Sequence, residues 1–171
     1  IYALKSYTKA GASFAGGMIE MRDIAHSSGM GMDTFNKAVI GSSEELRNMG
    51  LTQAEGARAI ANGMKAVSTT VGKSGNTLRD EMLAMGFSYE EQGQIVAQLG
   101  AQMKASGIDI KNLAPSELAR QTKDYATNLK VISDITGQDA KKLMEKARAE
   151  SMRGALMGKL DANQQKAFKD A

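Results

Sequence analysis

The sequence predicts an all-α fold, a string of seven to nine helices. Three observations carry this. Apolar residues recur at alternating spacings of three and four in several separate windows. Glycines followed by an apolar residue, then by Ser or Thr with Glu three positions on, mark helix stops and starts. No run of β-branched residues alternates with polar ones, so no strand is expected.

Residues 2–27 place Leu4, Tyr7, Phe14, Met18, Met21 and Ala25 on one face and predict a helix. Gly11, Gly16 and Gly17 interrupt it, each at a cost of about 1 kcal/mol against Ala, and a bend is expected near Gly16. After the loop Ser27–Gly31, Asp33 is placed to cap a short helix carrying Phe35 and Val39, which Gly41 closes. Ser42 with Glu45 then has the spacing of a capping box, in which each side chain satisfies a backbone N–H of the other.

The next feature recurs. Met49–Glu55 (MGLTQAE) and Met85–Glu91 (MGFSYEE) share one grammar 36 residues apart. The same offset matches Glu45 to Glu81, Leu46 to Met82, Ile60 to Val96 and Ala61 to Ala97. Helical-hairpin repeats have periods of this length, although the grammar also joins unrelated helices. Ala57, Ile60, Met64, Val67 and Val71 form one stripe. Leu78, Met82 and Met85 form a second, and Val96, Leu99 and Met103 a third. Gly107 ends the helix begun near Ser88, and Ile108–Ala114 is a connector.

Residues 115–154 carry the strongest helical signal. Pro115 suits a first turn, where its missing N–H costs nothing. Leu118, Thr122, Tyr125, Leu129 and Ile132 follow at spacings of four and three, with Ile135 beyond. This is one apolar stripe on a helix of about 20 residues, roughly 30 Å long. Leu118, Tyr125, Leu129, Ile132 and Ile135 are the candidate packing or oligomer interface. Gly137 supplies a left-handed stop and Asp139 a cap for the next helix. After Gly154 the pattern weakens, and Asp161 is placed to cap a last short helix reaching Phe168. The chain divides into an N-terminal helical segment (1–41), two related hairpins (42–110), and a C-terminal hairpin with a short last helix (111–171).

Composition narrows the function classes. The 171 residues, 42% hydrophobic, suffice for one modest core, two small helical subunits, or a piece of something longer. A start at Ile1 rather than Met fits a processed chain or a fragment. Twelve Met against four Phe, four Tyr and no Trp point to adaptable helix packing rather than a rigid pocket, although Met is also simply a good helix former. Several stripes are narrow and rich in Ala and Met, so neighbouring subunits are expected to supply part of the burial. With no Cys, disulfides, thiolate metal sites and cysteine nucleophiles are excluded. The net charge of +3 comes from interspersed signs, not from the clustered basic face of a nucleic-acid binder. No apolar run approaches the roughly 18 residues of a membrane span, and no signal-peptide core is apparent near the start, so a soluble chain is expected.

No residue set reads as catalytic, cofactor-binding or metal-binding. Val71-Gly72-Lys73-Ser74 resembles the end of a phosphate-binding loop, but Val67 stands where that motif needs glycine and no strand precedes it, so a turn is expected. His26 is the only histidine and has no Cys or second His as a metal partner. The pairs Glu44/Glu45, Asp80/Glu81 and Glu90/Glu91 all fall in first turns of helices, where carboxylates favour the positive end of the dipole. Lys141, Lys142, Lys146, Arg148 and Arg153 alternate with Glu145 and Glu150 and predict a solvated face. A helix-turn-helix reading of Leu51–Glu55 or Phe87–Glu91 would make the chain a DNA-binding or regulatory module. It lacks a basic recognition helix, and Gln92-Gly93 stands where an apolar pair should enter the core.

Tyr125–Asp139, reading YATNLKVISDITGQD, resembles a segment of the tail tape-measure and related virion structural proteins of tailed bacteriophages. In these, a helix of the type Tyr-Ala-x-x-Leu…Thr-Gly precedes a charged helix, matched here by Ala140–Ser151. Gly86–Gly107 is similar to what comes before it there. The resemblance covers about residues 80–155 and consists of helix punctuation and composition. It implies a structural, non-enzymatic role without cofactor: a segment in the tail lumen or at the hub, acting in tail assembly, length determination and genome delivery. The implied partners are copies of itself and tube or baseplate hub proteins; the implied locations are the virion and, during assembly, the host cytoplasm. Glycine breaks every 15 to 35 residues depart from a long ruler helix and favour a compact terminal or hub-proximal portion.

Overall fold

The computed structural model describes residues 17–157, with side chains for residues 20–150. Among them are eight α-helices and no strand. In chain order these are α1 (Gly17–Ser27), α2 (Met32–Gly41), α3 (Ser43–Asn48), α4 (Gln53–Thr69), α5 (Leu78–Ala84), α6 (Tyr89–Ala105), α7 (Pro115–Thr136) and α8 (Ala140–Met157). A single 3-10 turn, Ile110–Asn112, interrupts the connector before α7. The expected helix through Leu4, Tyr7 and Phe14, its bend at Gly16, and the last helix from Asp161 to Phe168 lie outside the described residues.

The 36-residue recurrence is carried by the backbone. The two long helices, α4 and α6, are each 17 residues and start and stop 36 residues apart. Both are entered through complete capping boxes, Thr52 with Glu55 and Ser88 with Glu91. Both short helices before them end in a Schellman motif. Leu51 N–H donates to Leu46 O at 3.0 Å and Phe87 N–H to Met82 O at 3.1 Å, across Gly50 and Gly86 at φ +72° and +98°. Positive φ is what lets the chain turn back so that Leu51 and Phe87 fold against the preceding helix, and an L side chain there is strained. The repeated unit is therefore a short helix, a left-handed glycine turn and a capped long helix.

α4, α6 and α7 pack on one another and form the centre. α2 and α3 lie against α6, α1 against α4, and α5 sits across α4, α6 and α7. Buried side chains from segments 17–41, 42–110 and 111–157 belong to one cluster, among them Met21, Phe35, Leu46, Ile60, Met64, Met82, Phe87, Ile95, Val96, Leu118 and Leu129. Small residues make this possible without bulk. A Cβ built on Gly63 of α4 would lie 2.3 Å from Val96 Cγ1 of α6, and one on Gly93 of α6 would lie 2.9 Å from Ala38 Cβ of α2. The helix backbones themselves are the packing surface, with the opposing side chain seated where a Cβ would stand. The described residues thus share one core.

Several local expectations are corrected. Asp33 does not cap α2. The helix begins at Met32 after the N-cap Gly31, two residues earlier than a cap at Asp33 would start it, and Asp33 pairs with Lys37 at 2.8 Å in the first turn. Ser42 and Glu45 make no capping box: Ser42 is buried without a side-chain cap bond, and Glu45 turns to a distant partner, Arg148. Val71 is not part of the α4 stripe, because α4 ends at Thr69 and Val71 is 61% exposed in an isolated bridge to Thr77. Gln92 and Gly93 are both buried, so polarity did not keep that pair out of the core. The Gln92 amide donates to Phe87 O at 2.9 Å and Arg79 O at 3.2 Å, which makes its burial tolerable.

The close approach of α4 to α6 gives a direct test. Gly63→Ala gains about 1 kcal/mol of helix propensity but forces Val96 or the helix axes to move, a cost of about 1–3 kcal/mol. A lowered urea midpoint with unchanged slope is expected; an unchanged or raised midpoint contradicts the packing described.

Candidate functional site

The stripe singled out on α7 is divided by the structure. Leu118 and Leu129 are buried in the chain's own core together with Thr122, whose hydroxyl donates to Leu118 O at 2.7 Å. Tyr125 is partly buried and its hydroxyl donates to Gln98 Oε1 at 3.1 Å. Ile132 and Ile135 are 45% and 78% exposed, and Val131 beside them is exposed as well. The first four turns of α7, through Leu129, are therefore internal packing, and the last two present apolar side chains at the surface.

A polar cluster joins α3, α6, α7 and α8. Arg148 of α8 reaches back to the Glu45 carboxylate and donates to Gly41 O at 2.5 Å. The Gln98 amide donates to Met144 O of α8 at 2.8 Å while its carbonyl accepts from Tyr125. These groups line a void of about 10 Å³ with Asn48, Ala101, Gln102 and Ala147, near the lower limit for one water molecule. Burial, with the Glu45 charge nearby, pushes the Tyr125 phenol above its ordinary value. A neutral phenol, an amide and a neutralised carboxylate hold a geometry; they do not form an acid–base pair. Arg148 thereby departs from the solvated face expected of α8, whereas Lys141, Lys142 and Lys146 are exposed as expected.

Two larger grooves flank α7. One, of about 540 Å³, is bordered by the Val71–Lys73 turn, Leu78, Glu81, Arg120, Lys123 and Asp124. The other, of about 450 Å³, is bordered by Lys65, Thr69, Ile110, Lys111, Leu113, Pro115 and Leu118 among others. The Val71-Gly72-Lys73-Ser74 tetrapeptide forms part of a turn, with Gly72 N–H donating to Asn76 O at 2.8 Å. Ser74 donates its hydroxyl to Glu81, and Lys123 lies 3.6 Å from the same carboxylate. The Ser74 hydroxyl and then the Lys123 charge hold the Glu81 carboxyl below its ordinary value, against the opposing effect of burial.

The acidic pairs all occupy first turns, as the dipole argument requires. His26 is exposed in the last turn of α1. Among the described residues no three His, Cys, Asp or Glu side chains converge to hold a metal ion. Among the described residues no helix is long and apolar enough to cross a membrane. The buried polar residues Gln92 and Gln98 and the Glu45–Arg148 pair were not legible as a group. Glu45 and Arg148 are 103 residues apart, and no spacing rule connects them.

Comparison with protein-family models finds no match. Curated proteins and solved structures likewise give none.

The Glu81 environment sets a pH dependence. Its folded value lies below the ordinary 4.5, so its contribution to stability is fully present above that value and is lost as pH falls through the folded one. Melting temperatures of the parent chain and Glu81→Gln, taken from pH 7 to pH 3, should converge on the acid side as the parent loses this contribution. Parallel curves would contradict the assignment.

Proposed function

We propose that this chain is a structural segment of a bacteriophage tail, a tape-measure-like or related helical virion protein. It packs against copies of itself or against tube or hub proteins during tail assembly and genome delivery. The observation that carries the reading is the Tyr125–Asp139 resemblance, with its Thr136-Gly137 stop and the charged helix after it.

Three further features support it. The recurrent helix–glycine–helix unit suits a long protein built from a string of similar pieces. The exposed Val131, Ile132 and Ile135 offer an apolar surface to a neighbour. The titratable groups at the polar cluster and in the grooves are engaged in holding helices together rather than aimed at a shared point in a cavity. The compact, glycine-broken arrangement favours a terminal or hub-proximal portion over an extended ruler.

Mass spectrometry and immunogold labelling of purified tailed particles test this. Peptides from residues 17–157 should be present in the particles, with antibody label on the tail or hub. A chain absent from the particles and left in the host cytoplasm contradicts the proposal.

A further inference from the structure

We propose that α8 is an exchangeable arm: a second copy of this chain receives it in place of its own α8, while α7 and α8 straighten into one helix. The inference rests on the geometry of α7, α8 and the hinge between them and does not depend on a phage role.

Four observations carry it. First, the described part of α8, through Glu150, is attached to the rest of the chain thinly. Met144 is its only fully buried hydrophobic residue among those with described side chains; Ala140 and Leu143 are partly buried, and Lys141, Lys142, Glu145, Lys146, Ala149 and Glu150 are exposed.

Second, its other anchors among the described residues are polar and independent of chain identity. Arg148 bonds to Glu45 and Gly41 O, and Gln98 bonds to Met144 O. A buried ion pair contributes little net stability against full solvation of both partners, so releasing it into water is cheap, while its geometry selects one seat. An α8 from another copy brings the same Arg148 and Met144 to the same seat.

Third, the hinge is short and conformationally specific. Only Gly137–Asp139 separates α7 from α8, and Gly137 holds the reversal at φ +66° with nothing within 4 Å of where its Cβ would stand. Short hinge loops favour exchange between copies over closure on the same chain.

Fourth, the apolar spacing of α7 runs through the hinge. Leu129, Ile132, Thr136, Ala140, Leu143 and Ala147 follow at steps of three and four, the pattern of one continuous helix. In the closed hairpin Ile132 and Ile135 sit at the surface. In two straightened copies they lie at the middle of a paired helix, where a second copy's equivalent residues cover them.

Gly137→Ala tests this, because Ala loses stability in the left-handed reversal and gains it in a continuous helix, and open space excludes a steric explanation. The left-handed penalty of roughly 1–2 kcal/mol per chain converts to about a hundredfold lower dimer dissociation constant by sedimentation. Gly137→Asn, which tolerates the left-handed region, should stay close to the parent. The chain has no Cys, so Ala101→Cys with Ala147→Cys, two residues bordering the same small void, reports which α8 fills the seat. Exchange gives covalent dimers on non-reducing gels, in a share that rises with concentration and with Gly137→Ala. Should Gly137→Ala not fold, the same pair in the parent chain at millimolar concentration decides. Exclusively intramolecular disulfide there, or an unshifted dimer constant in a folded Gly137→Ala, overturns the proposal.

Discussion

The structure depends on the close crossing of α4 and α6. With little aromatic bulk available, a core of this size fills only if helix backbones approach one another, and Gly63 against Val96 is where they do so most closely. The remaining elements follow from that contact. α7 lies along both helices, and its Leu118, Ala119, Thr122, Ala126 and Leu129 complete the interior. α5 closes the groove between them with Leu78 and Met82. The Met side chains, flexible and unbranched, occupy the irregular gaps that glycine contacts leave. Dispersion over many such short contacts, not a few large side chains, is what stabilises the interior.

Helix positions were legible because they are written locally. Pro115, Thr52 with Glu55, Ser88 with Glu91, and the glycines at 50, 86, 107 and 137 each act within a turn of where they stand. The 36-residue unit was visible for the same reason. Failures occurred where a residue answers to something far away. Glu45 has the spacing of a cap but is claimed by Arg148, which leaves Ser42 without its reciprocal partner. Gln92 is polar by composition and buried by hydrogen bonding to Phe87 and Arg79 carbonyls. The α7 stripe is periodic throughout, yet periodicity does not state where a hairpin's own core ends, so Ile132 and Ile135 share a register with Leu129 and not its burial.

The polar and apolar groups are divided in a consistent way through the described residues. Charged groups are spent on fastening helices: Glu45 to Arg148, Glu81 to Ser74 and Lys123, Glu55 and Glu91 to their caps. Most of the core cluster comes from α1 to α7, with Met144 of α8 added at its edge, and three exposed apolar residues, Val131, Ile132 and Ile135, lie together at the end of α7 beside the hinge to α8. A protein that works by packing, in a particle or with its own copies, has this division between a settled centre and an adaptable edge. The proposed tail segment and the proposed exchangeable arm would both use it, and neither requires the other.

The central claim is that α4 and α6 form the cooperative centre while α8 is fastened from outside. Native-state hydrogen exchange measures this residue by residue. Amides in the middle of α4 and α6 should exchange only through global unfolding, and those in the middle of α8 through a separate opening of lower free energy with little dependence on denaturant. Protection in α8 equal to that of α4, lost in the same transition, would contradict the account.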